Sequence, residues 1–392
     1  MRLARPGGPW AATGASVSYG DARVRILVFN PSLPPIPCGI GQYTASVAGA
    51  LSDTGHEVTV VTSAELEGAP TPGPRVRVVP ALRHWAPLDY ARAWPRFAQP
   101  RPDLVVSGYP SVIPGPKARL LYLLPGLAKL TLGRPRTVFV VHEFVRTGLR
   151  AQRLLALALR AADDVVCVTD AERDAVVSRH PFVARRARVV QNGSSIDAVP
   201  ADPVAAAALR RLIAGDRPLV VFAGRLSSAD KGFDELVDAV AGTDAVLAAT
   251  GRLDPSQPVH VAVAARIERH GMCDRVRWLG NLDDGDMGHL LQAADAVAVP
   301  FRGGAEGGYT SLLAPLVAGA AVVTTSGSRT PEWLRDGDNA LLVPPADPVA
   351  LGAALRRVLG DQAVSPRLRA GARALRPLFG WQRVAAELAD TR

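Results

Sequence analysis

Three loops in this 392-residue chain combine residue types that bind anions. The most elaborate is Pro300-Phe301-Arg302-Gly303-Gly304-Ala305-Glu306-Gly307-Gly308-Tyr309-Thr310-Ser311. An apolar run ends at Val299, and helical spacing begins near Tyr309. A glycine-rich passage from strand to helix exposes backbone N–H groups at the positive end of the helix, which makes an anion site. Glu306 lies just ahead of it and can accept hydrogen bonds from sugar hydroxyls. Thr310 and Ser311 add hydroxyls, although N-capping is their ordinary job. The second loop is Gly224-Arg225-Leu226 followed by Lys231-Gly232, again between a strand and a helix. Two cations at this spacing can converge on one phosphate group, arginine as a planar fork and lysine as a mobile point charge. The same spacing also suits two solvated surface cations. The third loop is Cys38-Gly39-Ile40-Gly41-Gln42-Tyr43-Thr44, which reads as a phosphate or substrate contact, or simply as a tight strand-to-helix turn. Nicotinamide binding is disfavoured, because Thr44 stands where the dinucleotide fingerprint needs its third glycine.

Other chemistry-bearing residues have plainer readings. Asp163-Asp164 precedes a strand and Asp283-Asp284 opens a helix, so capping or solvation is expected rather than a metal. Cys38, Cys167 and Cys273 are far apart and odd in number, which fits three small buried apolar side chains in a reducing compartment. Arg119, Lys129, Arg134, Arg136, Arg146 and Arg150 flank apolar stretches. They fit ordinary amphipathic helices, or contact with a membrane surface or lipid-linked acceptor. No Ser/His/Asp set or nucleophilic cysteine emerges.

The elements that must position these loops alternate between strand and helix, the pattern of parallel sheets wrapped by helices. Residues 24–29 read as a buried first strand and 42–53 as a helix. Further strands fall at 58–61, 76–79, 104–106, 137–141, 165–168 and 188–190. Residues 196–217 read as a linker with a short Ala-rich helix. The pattern then restarts, with strands at 219–223, 245–249, 275–278, 296–299 and 321–324 and helices at 232–241, 258–270, 286–293 and 310–318. The division expected is a disordered tail over 1–22, a first α/β domain over 23–195, the linker, a second α/β domain over 218–374, and a closing helical segment over 375–392. Two such domains face each other across a cleft, and ligands sit beyond the carboxyl ends of the strands.

Composition permits this. Hydrophobic residues make up 48% of the chain, enough for two cores. The +9 formal charge arises from 45 basic and 36 acidic residues, but no basic block is interleaved with aromatics, so nucleic acid is not the expected partner. No run of 18 apolar residues occurs and the first 22 residues lack a signal-peptide core, so a cytoplasmic protein is expected, at most peripheral to the inner face of the membrane.

Taken together, the motifs resemble the retaining family-four glycosyltransferases of the GT-B architecture, with two Rossmann-like domains. The likeness runs from residue 24 to about 388. It rests on Gly39-Ile40-Gly41, Gly55-His56-Glu57-Val58, Val141-His142-Glu143 and Gln191-Asn192-Gly193 in the first half. In the second half it rests on Phe222-Ala223-Gly224-Arg225-Leu226, Lys231-Gly232, Leu279-Gly280-Asn281, Glu306-Gly307 and Leu334-Arg335-Asp336-Gly337. The closing Phe379-Gly380-Trp381-Gln382-Arg383-Val384 is similar to a last helix that packs back on the first domain. The resemblance implies a nucleotide-diphosphate sugar as co-substrate, with neither metal nor cofactor. Arg225 and Lys231 would hold the diphosphate, met by N–H groups at Gly39 and Gly41. His142 would approach the donor sugar near its 6-hydroxyl, although a satisfied strand-end histidine is the plain alternative. Glu306 would bind sugar hydroxyls beside the N–H groups of Gly307, Gly308, Tyr309 and Thr310. One departure stands out. The family's second glutamate, eight residues after the first, is Ala314 here. A non-catalytic nucleotide-sugar-binding protein and a sugar-nucleotide epimerase of the same architecture therefore remain as alternatives.

Overall fold

The computed structural model describes residues 23–36, 38–109, 119–145, 147–196, 200, 202–224, 226 and 229–390. The expected tail at 1–22 lies outside them, as does Arg225. Seven parallel strands form the first sheet: β1 (Arg25–Phe29), β2 (Glu57–Ser63), β3 (Val76–Leu82), β4 (Leu104–Tyr109), β5 (Arg136–Val141), β6 (Asp164–Cys167) and β7 (Ala187–Val189). Their helices are α1 (Gly39–Asp53), α2 (Pro87–Phe97), α3 (Arg119–Thr131), α4 (Leu149–Ala161) and α5 (Asp170–Arg179). After α6 (Pro203–Ala214), a second sheet takes β8 (Leu219–Phe222), β9 (Val246–Ala249), β10 (Val276–Trp278), β11 (Ala296–Val299), β12 (Val322–Thr325) and β13 (Leu341–Val343). Around it lie α7 (Phe233–Ala241), α8 (Pro258–Arg269), α9 (Asp284–Ala293), α10 (Thr310–Ala318), α11 (Pro348–Gly360) and α12 (Val364–Ala374), and α13 (Trp381–Ala389) closes the chain.

The strand orders are β3-β2-β1-β4-β5-β6-β7 and β10-β9-β8-β11-β12-β13. In each, the order reverses beside the first strand, between β1 and β4 and between β8 and β11. That reversal opens a crevice at the carboxyl edge, where ligands bind in such sheets. The strands are short and covered on both faces, so they read as continuous apolar runs such as Leu219-Val220-Val221-Phe222, all buried.

Two segments differ from their sequence reading. The Ala-rich helix expected within the linker forms as α6, but it does not merely connect: it packs against α9 and sends Leu209, Ile213 and Ala214 into the second core. Asp202 caps it, its carboxylate accepting from the N–H groups of Val204 and Ala205. At the other end, Leu375, Leu378 and Phe379 still pack in the second core, and only α13 crosses back. Trp381, Val384, Ala385, Leu388 and Ala389 follow helical spacing and bury one stripe against α1 and the first sheet. The cysteines are unlike one another. Cys167 is buried, which pushes its thiol up to about 12, whereas Cys38 is half-buried and Cys273 exposed.

The crossing of α13 is testable. Leu388 is fully buried, so Leu388→Ala should cost about 2–5 kcal/mol. Urea unfolding should show that loss, and a cost below about 1 kcal/mol would mean that α13 is not anchored there.

Candidate functional site

A cleft of about 700 Å³ opens between the carboxyl edges of the two sheets. The first half lines it with Gly39, Tyr43, His142, Glu143, Glu172 and Asn192, the second with Lys231, Asp284, Glu306, Gly308, Tyr309 and Thr310. Trp381 of α13 joins them.

On the first side, the loop after β1 is tied by Asn30. Its Oδ1 accepts from the Ser32 N–H at 2.9 Å, and its Nδ2 donates to Thr44 Oγ1 at 2.6 Å. Thr44 therefore serves as the anchor that holds α1 to this loop. Gly41 is a packing glycine, because a Cβ there would lie 3.1 Å from the backbone of Ser32. Gly39 faces open space and the cleft. The first-turn N–H groups of α1 have no acceptor within the helix, and no acidic side chain occupies that turn. The positive end of α1 is thus presented to the cleft.

His142 follows β5 and sits edge-on to Tyr43, ring centres 4.6 Å apart. Burial pushes its pKa down to about 4, so the imidazole is neutral at ordinary pH and offers hydrogen bonds rather than charge. The loop after His142 is pinned by Glu172, whose carboxylate accepts from the Phe144 N–H at 2.6 Å and the Val145 N–H at 3.1 Å. Thr169 caps α5 by accepting from the Glu172 N–H. Burial holds the Glu172 carboxyl above its usual range, and the charge of Glu306 adds to that while Arg329 opposes it.

On the second side, Lys231 ends a short 3₁₀ turn, Ala229–Lys231. Its ammonium lies over the rings of Phe301 and Tyr309, 4.7 and 4.9 Å from their centres, and donates to Ser311 Oγ at 2.8 Å. Gly232 makes this placement possible. Its φ is +63°, and a Cβ there would lie 2.1 Å from the Pro300 carbonyl oxygen. Arg302 ties the two loops together. Its N–H donates to the Asp230 carbonyl at 2.9 Å, and its guanidinium reaches Glu235 at 2.7 Å and Asp234 at 2.5 Å on α7.

Glu306 lines the cleft, and two side chains steady its carboxylate. Oε1 accepts from Tyr309 Oη at 2.9 Å and meets Arg329 Nη2 at 2.5 Å. The N-cap of α10 is Tyr309, whose side chain makes no capping hydrogen bond, so neither Thr310 nor Ser311 caps that helix. Ser311 instead holds Lys231, while Thr310 lines the cleft. The carbonyls of Gly307 and Gly308 accept from Gln191 Nε2 at 2.5 Å and Asn192 Nδ2 at 3.4 Å, which docks the two halves.

Of the residues singled out from sequence, the cleft gathers Gly39, His142, Lys231, Glu306, Gly308, Tyr309 and Thr310. Gly41, Gly224, Gly307 and Ser311 do not line it; a Cβ on Gly224 would press the Phe222 ring at 2.9 Å. Ala314 is buried inside α10. Asp283 caps α9, accepting from the Asp286 N–H, as its position suggested. The sequence reading passed over Glu172 and Arg329, and it took Asp284 for a capping or solvated residue, whereas Asp284 lines the cleft. Glu172 had a signal, the Thr169-x-x-Glu172 spacing of a capping box, although here the carboxylate reaches a different loop. Arg329 had none, because only the fold brings it to Glu306.

The chain is similar to known proteins in sequence and in fold. Residues 217–361 match the family model described as Glycosyl transferases group 1, and residues 37–198 match Glycosyltransferase Family 4. The phosphatidyl-myo-inositol mannosyltransferase of Mycobacterium leprae is 30% identical over 205 residues, 51% of each chain. A D-inositol 3-phosphate glycosyltransferase of Xylanimonas cellulosilytica is 30% identical over 238 residues, 59% of this chain and 56% of its own. The chain thus matches about half the length of these two relatives. The phosphatidyl-myo-inositol mannosyltransferase of Mycolicibacterium smegmatis is 26% identical over 407 residues, 93% of this chain and 92% of its own. Among solved structures, Anabaena HepE in complex with UDP superposes with a TM-score of 0.76 at 20% identity, covering 94% of this chain and 99% of that one, which is a likeness of fold.

The Lys231 turn and His142 each yield an expectation. Gly232→Ala should destabilise the protein by about 2 kcal/mol or more, since both the φ and the Pro300 carbonyl oppose it. An unchanged midpoint in urea would refute the placement of the turn. His142 should contribute no limb to an activity profile near the ordinary histidine pKa of about 6.5. A limb there that disappears in His142→Ala would show that the imidazole is not held neutral.

Proposed function

Because the chain belongs to the group 1, family-four glycosyltransferases of GT-B architecture, we propose that it is a retaining, metal-independent glycosyltransferase that moves a sugar from a nucleotide-diphosphate sugar to an acceptor held by the first half. The observation that carries this reading is Lys231 on its aromatic platform, sharing one cleft with the positive ends of α1 and α10. Such a set suits a diphosphate, and it neutralises the charge that develops as the nucleotide leaves. Arg225 joins Lys231 in this role by its place in the motif. Lysine, arginine and helix ends supply the positive charge that a metal would otherwise provide.

His142, neutral and beside Tyr43, would donate or accept a hydrogen bond at the donor sugar. Glu306, steadied by Arg329 and Tyr309, would take sugar hydroxyls. The departing phosphate itself would remove the acceptor proton, consistent with retention. Two relatives are named for mannose transfer to phosphatidyl-myo-inositol and one for glycosyl transfer to D-inositol 3-phosphate. HepE is solved with UDP-glucose and with UDP. These names favour a hexose donor and an inositol-bearing or lipid-linked acceptor. Among the described residues no helix is long and apolar enough to cross a membrane, so a lipid acceptor would be met by peripheral contact of the basic first half, at the inner face of the membrane.

A panel of UDP-, GDP-, ADP- and TDP-sugars, scored by nucleotide release with and without inositol acceptors, tests the reading. Arg225→Ala and Lys231→Ala should each lower turnover on the order of 10²-fold or more, and EDTA should leave it unchanged. Near-normal turnover in both variants would overturn the assigned roles. Restoration of an EDTA-treated enzyme by Mg²⁺ or Mn²⁺ alone would overturn the metal-free step.

A further inference from the structure

Helix α4 carries two faces of opposite purpose. Leu155, Ala158 and Leu159 are buried against the first sheet and α3. The outward face sets Leu149, Leu154 and Leu157 among Arg150, Arg153 and Arg160, all exposed, with Leu149 64% exposed and the other two leucines 49%. At 100° per residue these six fall within about 140° of one another, a single stripe. Among the described residues, no other helix exposes more than two large apolar side chains. Neighbouring elements expose apolar side chains as well. Leu130 of the adjoining α3 is 83% exposed, and Arg160 lies 4.4 Å above the ring of the exposed Phe182.

Charge separates this surface from an ordinary solvated face. Residues 119–162 contain eight Lys or Arg and one acid, Glu143, a local excess of seven in a chain of net charge +9. Lys129 and Arg136 are neutralised by Asp163 and Asp164, but α4 contains no acidic residue. Leucines interleaved with arginines, without acids, are the composition of a helix that lies in a lipid interface. The leucines reach the acyl boundary, and the arginine stems extend toward the phosphates. A protein partner would have to present acids and apolar residues in the same alternating stripe, whereas an anionic leaflet offers both everywhere. The chain path adds direction. Residues 143–148 lead from the cleft-lining Glu143 to the first turn of α4, and Val145 on that loop is exposed too.

We propose that the outward stripe of α4 rests on an anionic lipid surface, with the rim of the cleft turned toward the same surface. This extends the acceptor part of the proposed function, but it makes its own claim about binding. The full chain is to be sedimented with phosphatidylcholine vesicles, with and without a third of phosphatidylglycerol, in the absence of any donor or acceptor. Partitioning should require the anionic lipid and weaken with added salt. Arg150→Gln and Arg153→Gln should each reduce it roughly fivefold. The combined Leu149→Ser, Leu154→Ser, Leu157→Ser variant should lose it, while keeping the wild-type melting temperature because all three side chains are exposed. Equal binding to both vesicle types, or unchanged binding by the leucine variant, would overturn the proposal. Lipid-free self-association abolished by the leucine variant would also overturn it, assigning the stripe to a second copy of the chain. Vesicle binding by a chain that transfers no sugar would leave this proposal standing and remove the functional one.

Discussion

The segment Gln191-Asn192-Gly193-Ser194 holds the two halves of the molecule in one geometry, and the cleft depends on it. Gln191 and Asn192 donate to the carbonyls of Gly307 and Gly308 on the loop ahead of α10. From the other side, Trp381 Nε1 donates to the Ser194 carbonyl at 2.6 Å, and Arg383 reaches the Gln191 carbonyl at 2.5 Å. Gly193 has no side chain because the indole of Trp381 fills that space; a Cβ would lie 2.4 Å from its ring. Three separate parts of the chain thus meet at four residues. Each bond is worth only about 1 kcal/mol net, but they are part-buried, directional and act together. They set which loop of one half faces which loop of the other. Charge on one side can therefore meet a substrate held on the other.

Within that frame the site manages charge by placing it on rigid local supports. Lys231 rests on two aromatic rings and a hydroxyl, which fix its side chain at the cleft. Arg302, only one residue beyond Phe301, points the opposite way and clamps the first turn of α7. The two neighbours together fix the turn that carries Lys231. Across the cleft, Glu172 spends its carboxylate on two backbone N–H groups and so shapes the loop beside His142. Burial makes His142 a neutral hydrogen-bonding group and leaves cationic work to the second half.

The lipid-facing reading of α4 follows the same economy. The loop that Glu172 pins leads directly into α4, so the element that would face a membrane and the element that lines the cleft are consecutive in the chain. The only exposed leucine-rich helix stripe among the described residues therefore lies one loop away from the wall that the first half gives the cleft.

Much was legible in the sequence because it is written in local terms. Short apolar runs alternating with amphipathic spacing specified two parallel sheets, since buried strands and half-buried helices leave different periodicities. Glycines at strand ends marked loops that reach the cleft, Lys231 and Glu306 among them, while His142 stands at a strand end without a glycine. The tertiary structure decided what each of these residues touches. It showed Gly41 and Gly232 to be packing requirements, because the atoms they avoid belong to Ser32 and Pro300. It turned Thr44 into an anchor, drew α6 into the second core, and brought Arg329 to Glu306. Those contacts join residues distant in the chain, and local propensity carries no record of them. The sequence alone determined which elements form and which side chains stand at their ends; only the docking of the two sheets decided which of those side chains share a cleft.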